Sequence, residues 1–257
     1  MLVLRSLLFN ALFYVWLIGL MLVGLPSLFF GREGTFYFAR LWAKGTFWLL
    51  RVICGLDVEF RGVEKIPAGG YILAPKHQSI WETFALTIHA SDFTYIVKRE
   101  LTWVPIFGWY LKAGEQIAIN RSTGRAALSE AVRRARVVLA AGRQVFIFPE
   151  GTRRPAGAPP VYKFGVAAIY NDSGAPCVPV ALNSGLFWAR RSFLRRPGTV
   201  VVQYLDPIQP GLDKQTFLAT LEARLEEATN KLIDEAVAKD PSLAEIVERN
   251  KTADETA

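Results

Sequence analysis

From Ser6 to Phe30 the chain runs 25 residues without a formal charge, SLLFNALFYVWLIGLMLVGLPSLFF. A helix of about 20 apolar residues crosses the hydrocarbon of a bilayer, so this segment is long enough to enter one. A cleaved export signal is the competing reading. Such signals carry apolar stretches of roughly 7–15 residues that end on small residues of the A-x-A type. This run is longer and closes on Leu25-Pro26-Ser27-Leu28-Phe29-Phe30, so the segment is expected to be retained. Arg5 stands alone before it, whereas Arg32, Arg40 and Lys44 follow. That asymmetry places the body of the chain on the cytoplasmic face of the inner cell membrane, anchored through its N-terminus.

The next stretch, Thr35 to Leu56, is apolar but carries Arg40, Lys44 and Arg51. At a helical turn of ~100° per residue these three fall within about 40° of one another. Phe36, Phe38, Leu41, Trp42, Trp48, Leu49 and Ile53 occupy the surface outside that stripe. A narrow basic stripe on an aromatic-rich helix predicts an interfacial helix with its cations at lipid phosphate; the alternative is a helix packed against the domain with its charges solvated. Residues 1–56 are accordingly read as a membrane-binding helical pair, 57–250 as the globular domain and 251–257 as a frayed tail.

After Gly55 short apolar runs alternate with helical periods. Strands are predicted at Val58–Phe60, Tyr71–Ala74, Phe93–Val97, Gln116–Ile119, Gln144–Phe148, Cys177–Leu182 and Thr199–Leu205. Helices are predicted at Trp81–Ala90, Arg125–Ala141 and Asp213–Lys239. The second of these has Leu128, Val132, Ala135, Val138 and Leu139 on its core face, with Gly142 as its stop. Strands alternating with helices predict an α/β fold, a largely parallel sheet with helices on both faces.

Charge is divided along the chain. The net charge is +7, yet residues 206–257 hold 6 Lys and Arg against 12 Asp and Glu, leaving 24 against 11 in residues 1–205. A basic body predicts anionic partners: nucleic acid, an anionic membrane surface or a phosphorylated substrate. The two cysteines, Cys54 and Cys177, form neither a disulfide scaffold nor a zinc pattern.

Of the two histidines, His77 follows the Tyr71–Ala74 strand in Pro75-Lys76-His77-Gln78-Ser79-Ile80-Trp81-Glu82-Thr83. The carboxyl end of a strand is where an α/β sheet receives its ligands. Glu82, five residues on and in the first turn of the following helix, can hold one imidazole nitrogen as N–H. The other nitrogen is then free to take a proton. His89 lies deeper in the same helix without an acidic partner and reads as structural. A second cluster, Phe148-Pro149-Glu150-Gly151-Thr152-Arg153-Arg154, leaves a strand into a tight turn bearing two guanidinium groups suited to phosphate. A third, Lys98-Arg99-Glu100-Leu101 with Pro105 and Gly108, leaves another strand. No G-x-S-x-G elbow marks a nucleophilic serine, Ser79 included. Neither G-x-x-x-x-G-K-[ST] nor G-x-G-x-x-G is present.

These blocks, with Val178-Pro179-Val180 after them, follow the order found in the glycerolipid acyltransferases, and the chain resembles that family over residues 75–180. The apolar N-terminus resembles the family's membrane-binding helices. The departure is Glu82, where the family motif usually has aspartate. The resemblance implies acyl transfer from acyl-CoA or acyl-ACP to the 2-hydroxyl of lysophosphatidic acid, giving phosphatidic acid. His77 would deprotonate the hydroxyl and Glu82 would hold the ring. Backbone amides or nearby cations would stabilise the oxyanion. Lys98 and Arg153 match positions that contact the acceptor phosphate, and Glu150, Gly151 and Thr152 belong to the block that shapes the acceptor site. Arg99, Arg154 and Lys163 are neighbours of the same kind or ordinary surface charges. The implied reaction needs no cofactor and no metal.

Two other readings stand beside this one. The Lys98/Arg153 assignment predicts a phosphate-bearing acceptor, and another lysolipid such as a lyso-ornithine lipid is the alternative. A non-catalytic membrane-binding protein is the second. The densest basic run, Arg190-Arg191-Ser192-Phe193-Leu194-Arg195-Arg196, carries an aromatic of the kind seen in nucleic-acid binders. Beside an apolar anchor it favours anionic membrane lipids or an acidic carrier protein over nucleic acid.

Overall fold

In the computed structural model, which describes residues 1–251, seven strands form a sheet. They are β1 (Leu56–Arg61), β2 (Ile72–Pro75), β3 (Phe93–Lys98), β4 (Ile117–Ile119), β5 (Gln144–Phe146), β6 (Cys177–Leu182) and β7 (Gly198–Tyr204). Their order is β1-β7-β6-β2-β5-β3-β4. The block β6-β2-β5-β3-β4 is parallel throughout. At its edge β7 runs antiparallel to β6, and β1 pairs parallel with β7. The carboxyl ends of β6, β2, β5 and β3 therefore lie side by side.

Alternate residues of the central strands point to opposite faces, as a pleat requires. Leu73, Phe146, Val178 and Val180 enter one core, and Ile72, Ala74, Val145 and Cys177 enter the other. The second core is covered by α5 (Arg125–Ala140), α6 (Gly165–Ser173) and the first half of α8 (Lys214–Lys239). The first is covered by α1 (Leu2–Val23), α2 (Gly31–Leu49) and α3 (Trp81–Ala85). Short helices α4 (Phe107–Ala113), α7 (Ser184–Phe187) and α9 (Ala244–Lys251) complete the described chain. Both faces are covered, as the strand–helix alternation predicts. Lys251 closes α9, and the rest of the tail read as frayed lies outside the described residues.

The N-terminal pair packs against the domain. Ser6, Phe9, Phe13 and Leu20 make one buried stripe on α1, and Phe9 and Phe13 meet the Trp188 ring edge-on at 5.5 and 5.6 Å. Trp16 Nε1 donates to the Trp42 carbonyl at 3.2 Å, and the Tyr110 hydroxyl donates to the Met21 carbonyl at 2.9 Å. Burying each phenylalanine contributes about 1.5–3 kcal/mol, which favours α1 lying along the domain over its standing free. Its outer face remains apolar and open at Leu4, Leu8, Val15 and Ile18. α1 is the one described helix long and apolar enough to cross a membrane.

Two expectations change on this background. Arg40 does not face lipid phosphate: its guanidinium donates to the carbonyls of Thr87, Ala90 and Ser91, which end the helical turn Leu86–His89. Those carbonyls receive no backbone N–H from further along the chain among the described residues, and a guanidinium satisfies three at once. Arg51 pairs with Asp57 at 3.2 Å yet stays exposed, as does Lys44, so these two keep the outward position the stripe requires. On α5 the buried seam is Ala127, Ala131, Ala135 and Leu139, with Leu128, Val132 and Val138 only half-buried beside it. Alanines every four residues let α5 approach the sheet and α6 closely. His89, read as structural, sits edge-on against Phe60 at 4.6 Å with Tyr204 beyond it, and burial pushes its pKa down.

Candidate active site

The ladder of β2 continues one bond past its end, Lys76 N–H donating to Val180 O at 3.0 Å. The chain then turns into α3 at Ser79-Ile80-Trp81-Glu82. That is the pattern of a capping box, in which a serine hydroxyl and a glutamate three residues on satisfy the first free amides of a helix. Ser79 Oγ accepts from Trp81 N at 3.2 Å, and Glu82 Oε1 reaches back to the amides of Gln78 and Ser79, both at 2.7 Å. The same oxygen lies 2.9 Å from His77 Nδ1. Oε1 already accepts from two backbone N–H groups, so Nδ1 is the atom that carries the proton. Glu82 Oε2 accepts from Ser184 Oγ at 2.8 Å. A fully buried carboxylate is thus supplied with four donors, the condition for holding such a group without a counter-ion.

The imidazole lies flat on Phe148, ring centroids 3.8 Å apart, and it is partly exposed. Its Nε2 is neither buried nor bonded among the described residues. The backbone of His77 is held on both sides. Its N–H donates to Glu150 Oε2 at 2.8 Å, and its carbonyl accepts from Arg154 N at 2.7 Å. Glu150 is 1% exposed, and its other oxygen accepts from buried Lys76 Nζ at 2.8 Å. Lys76 Nζ also donates to Glu226 Oε1 at 2.7 Å, where the Tyr162 hydroxyl donates as well. Burial pushes the Glu150 carboxyl above its usual range, and Lys76 opposes that rise.

Glu150 therefore belongs to the block expected to shape the acceptor site, but its carboxylate turns inward and braces the histidine. Gly151 follows at φ +69°, a left-handed conformation that glycine adopts without strain. Its carbonyl accepts from Arg121 Nη1 at 3.2 Å. Thr152 is exposed, and Arg153 is half-buried with no carboxylate within ion-pair distance among the described residues. The Arg153 carbonyl accepts from Arg190 Nη1 at 3.2 Å. Arg154 is buried and its Nε donates to Pro159 O, which removes it from the surface charges considered above. Lys98 ends β3, exposed, 3.3 Å from Glu100 Oε1, and Arg99 lies over the Trp103 ring. Both Leu73 and Tyr95 are in register with Phe146. The segments bearing His77, Glu150 and Lys98 therefore leave the carboxyl ends of three strands that run parallel, β2 and β3 flanking β5.

Residues 57–183 match the family model described as Acyltransferase. Over 161 residues the chain is 39% identical to 1-acyl-sn-glycerol-3-phosphate acyltransferase of Pseudomonas aeruginosa, covering 63% of each. It is 28% identical over 155 residues to the protein of that name from Limnanthes alba, covering 60% of this chain and 55% of the relative. Residues 57–183 form an acyltransferase-family domain. The chain thus aligns with somewhat under two thirds of the length of these relatives. The fold matches the crystal structure of the 1-acyl-sn-glycerophosphate acyltransferase from Thermotoga maritima with a TM-score of 0.75, at 22% identity, over 90% of this chain and 99% of that one.

The acyltransferase domain contains His77, Glu82, Lys98 and the 150–153 turn, but Ser184, Arg190 and Glu226, which touch its site, lie beyond residue 183. Ser184 follows the carboxyl end of β6, the strand next to β2, and that position is the signal from which it could have been found. Glu226 arrives from α8, 150 residues from Lys76, and nothing in the spacing marks it.

The capping geometry makes a prediction for the unusual acid. Glu82→Asp shortens the side chain by one methylene, so all four contacts of 2.7–2.9 Å cannot survive together. Loss of one hydrogen bond to a charged group is worth about 1.5 kcal/mol, roughly tenfold in rate. The variant is expected to keep about a tenth of the activity or more. A loss as deep as that of Glu82→Ala, read in parallel rate assays, would mean that the carboxylate is positioned by its length.

Proposed function

We propose that this protein transfers an acyl group from a thioester donor, acyl-CoA or acyl-ACP, to the 2-hydroxyl of 1-acyl-sn-glycerol 3-phosphate, forming phosphatidic acid. The observation that carries the reading is the His77–Glu82 pair, with Nδ1 fixed as donor and Nε2 open. Nε2 takes the hydroxyl proton as the oxygen attacks the thioester carbonyl. Glu82 stabilises the imidazolium that forms. Collapse of the tetrahedral intermediate breaks the C–S bond, and the proton held on Nε2 passes to the departing sulfur, so ester and free thiol leave together.

Lys98 and Arg153 bind the acceptor phosphate in this scheme. Lys98 stands in an exposed pair with Glu100, and such pairs are weak enough for a phosphate to displace the carboxylate. Arg153 offers a guanidinium without an acidic partner among the described residues. The acceptor's acyl chain reaches the site from a membrane in which the open face of α1 lies, on the cytoplasmic side. A helix held along its length by α2, α4 and Trp188 suits a position in one leaflet better than an independent span.

Comparing turnover of lysophosphatidic acid with that of a phosphate-free lysolipid of the same acyl chain tests the assignment. The phosphate-bearing acceptor is expected to be preferred by about tenfold or more, the worth of one lost charged hydrogen bond. Equal turnover, or preference for a lyso-ornithine lipid, would overturn the acceptor and leave the acyl-transfer chemistry standing.

A further inference from the structure

The basic run Arg190–Arg196 has no role in the chemistry above, yet it is a built feature. Its centre is Arg195, buried and stacked over the Trp188 ring at 3.9 Å. Arg195 Nη1 donates to the carbonyls of Ser192 and Leu194 at 2.8 and 2.9 Å, closing the loop on itself. The loop is also locked to the amino end of α1. Arg195 N donates to Ser6 Oγ and Arg195 Nη2 to Asn10 Oδ1, both at 2.9 Å, and Asn10 Nδ2 donates to the Phe193 carbonyl at 2.8 Å. With its backbone held, the loop presents Phe193 half exposed, and Arg191 exposed at φ +59°, a conformation disfavoured for any residue but glycine. On the adjoining turns of α1, Leu4, Leu7 and Leu8 are open and Arg5 is exposed.

We propose that loop 189–196 is a membrane-contact element that binds anionic lipid headgroups, with Phe193 seated at the acyl boundary and Arg190 and Arg191 at the phosphates. It deepens the reading given above, since it names the surface on which the acceptor would be met. The occupant follows from composition and continuity. An exposed aromatic beside the open leucines of α1 calls for an apolar medium, and the guanidinium groups around it call for phosphate. The acidic face of a carrier protein would satisfy the arginines and leave Phe193 and the leucines in water. Arg190 links the loop to the site, because its Nη1 holds the carbonyl of Arg153.

Flotation of the full chain with phosphatidylcholine vesicles, with and without phosphatidylglycerol, tests this. The wild type is expected to favour the anionic vesicles, and added salt to shrink the difference. Each basic side chain at such a surface is worth about fivefold in partitioning, so Arg190→Ala with Arg191→Ala costs about thirtyfold on anionic vesicles and little on neutral ones. Arg191→Gly suits the left-handed backbone and keeps the fold while still losing about fivefold. Phe193→Ser weakens binding to both vesicle types. Unchanged binding of the arginine variants, or an equal loss on neutral and anionic vesicles, would overturn the assignment. So would a raised KM for acyl-ACP with vesicle binding intact, which would give the loop to the carrier protein. Flotation does not depend on turnover: loss of acyl transfer with the anionic preference intact would strike the proposed function and spare this inference.

Discussion

His77→Ala is expected to lower acyl transfer by about 10²–10⁴ in kcat, the usual contribution of a positioned general base, while the protein stays folded. The two halves of that expectation come from different contacts. Catalytically, the ring is the one group whose free nitrogen is aimed outward from an acid that fixes its tautomer. Structurally, its removal costs little. The Glu82 carboxylate keeps the amides of Gln78 and Ser79 and the hydroxyl of Ser184, so no buried charge is left without partners. The backbone of His77 keeps its bonds to Glu150 and Arg154, so what is lost is the Nδ1–H bond to Glu82 and the stacking on Phe148. Thiol release from the donor in the presence of acceptor, measured beside a thermal melt, separates the halves. Turnover near wild type would remove His77 as the base. Collapse of the melt would show that the ring carries packing that its partial exposure conceals.

How much of this was readable from the chain depends on how far apart the partners lie. The His77–Glu82 pair spans five residues and one helix start, so spacing alone predicts it, and the capping box at Ser79 was there to be read as well. The strands were legible because β2, β5 and β6 are short apolar runs ending at prolines, glycines or charges. Their parallel pairing follows from the helices between them. What the chain conceals is direction. Glu150 and Arg153 sit three residues apart in one turn, yet the first side chain points into the protein and the second is half-open, a distinction set by Lys76 and α8 rather than by the turn. Arg40 looked like part of an interfacial stripe because the carbonyls it satisfies belong to a helical turn nearly 50 residues on. The alanine seam of α5 was hidden by larger apolar neighbours, which flank a close contact without making it. The apolar N-terminus is divided by position, with Phe9, Phe13 and Leu20 inside and Leu4, Val15 and Ile18 outside. That split needs a partner surface to become visible.

The largest expected effect on stability comes from Lys76. Its ammonium lies between Glu150 and Glu226 with almost no exposure, beside a Glu150 carboxylate that is more deeply buried still. Removing one partner of a buried ion pair leaves the other charge without compensation, and Lys76→Met is expected to cost about 3–5 kcal/mol in denaturant unfolding. The penalty has a predictable pH dependence. Burial already raises the Glu150 pKa, and Lys76 is the first of the influences that lower it, so its loss raises that pKa further. A carboxyl whose folded pKa exceeds its unfolded value favours the folded state at low pH and loses that contribution as pH rises through the folded value. The deficit of Lys76→Met should therefore be greatest at neutral and alkaline pH and shrink on acidification, as Glu150 takes up a proton. Lys76→Met with Glu150→Gln should recover most of the loss at neutral pH, since the amide oxygen can still accept from His77 N while no charge remains buried alone at residue 150. Glu226 keeps the Tyr162 hydroxyl and is within reach of water. A pH-independent cost below about 1 kcal/mol, the range of an exposed pair, would mean that the ammonium is solvated and that Glu150 holds the histidine without it.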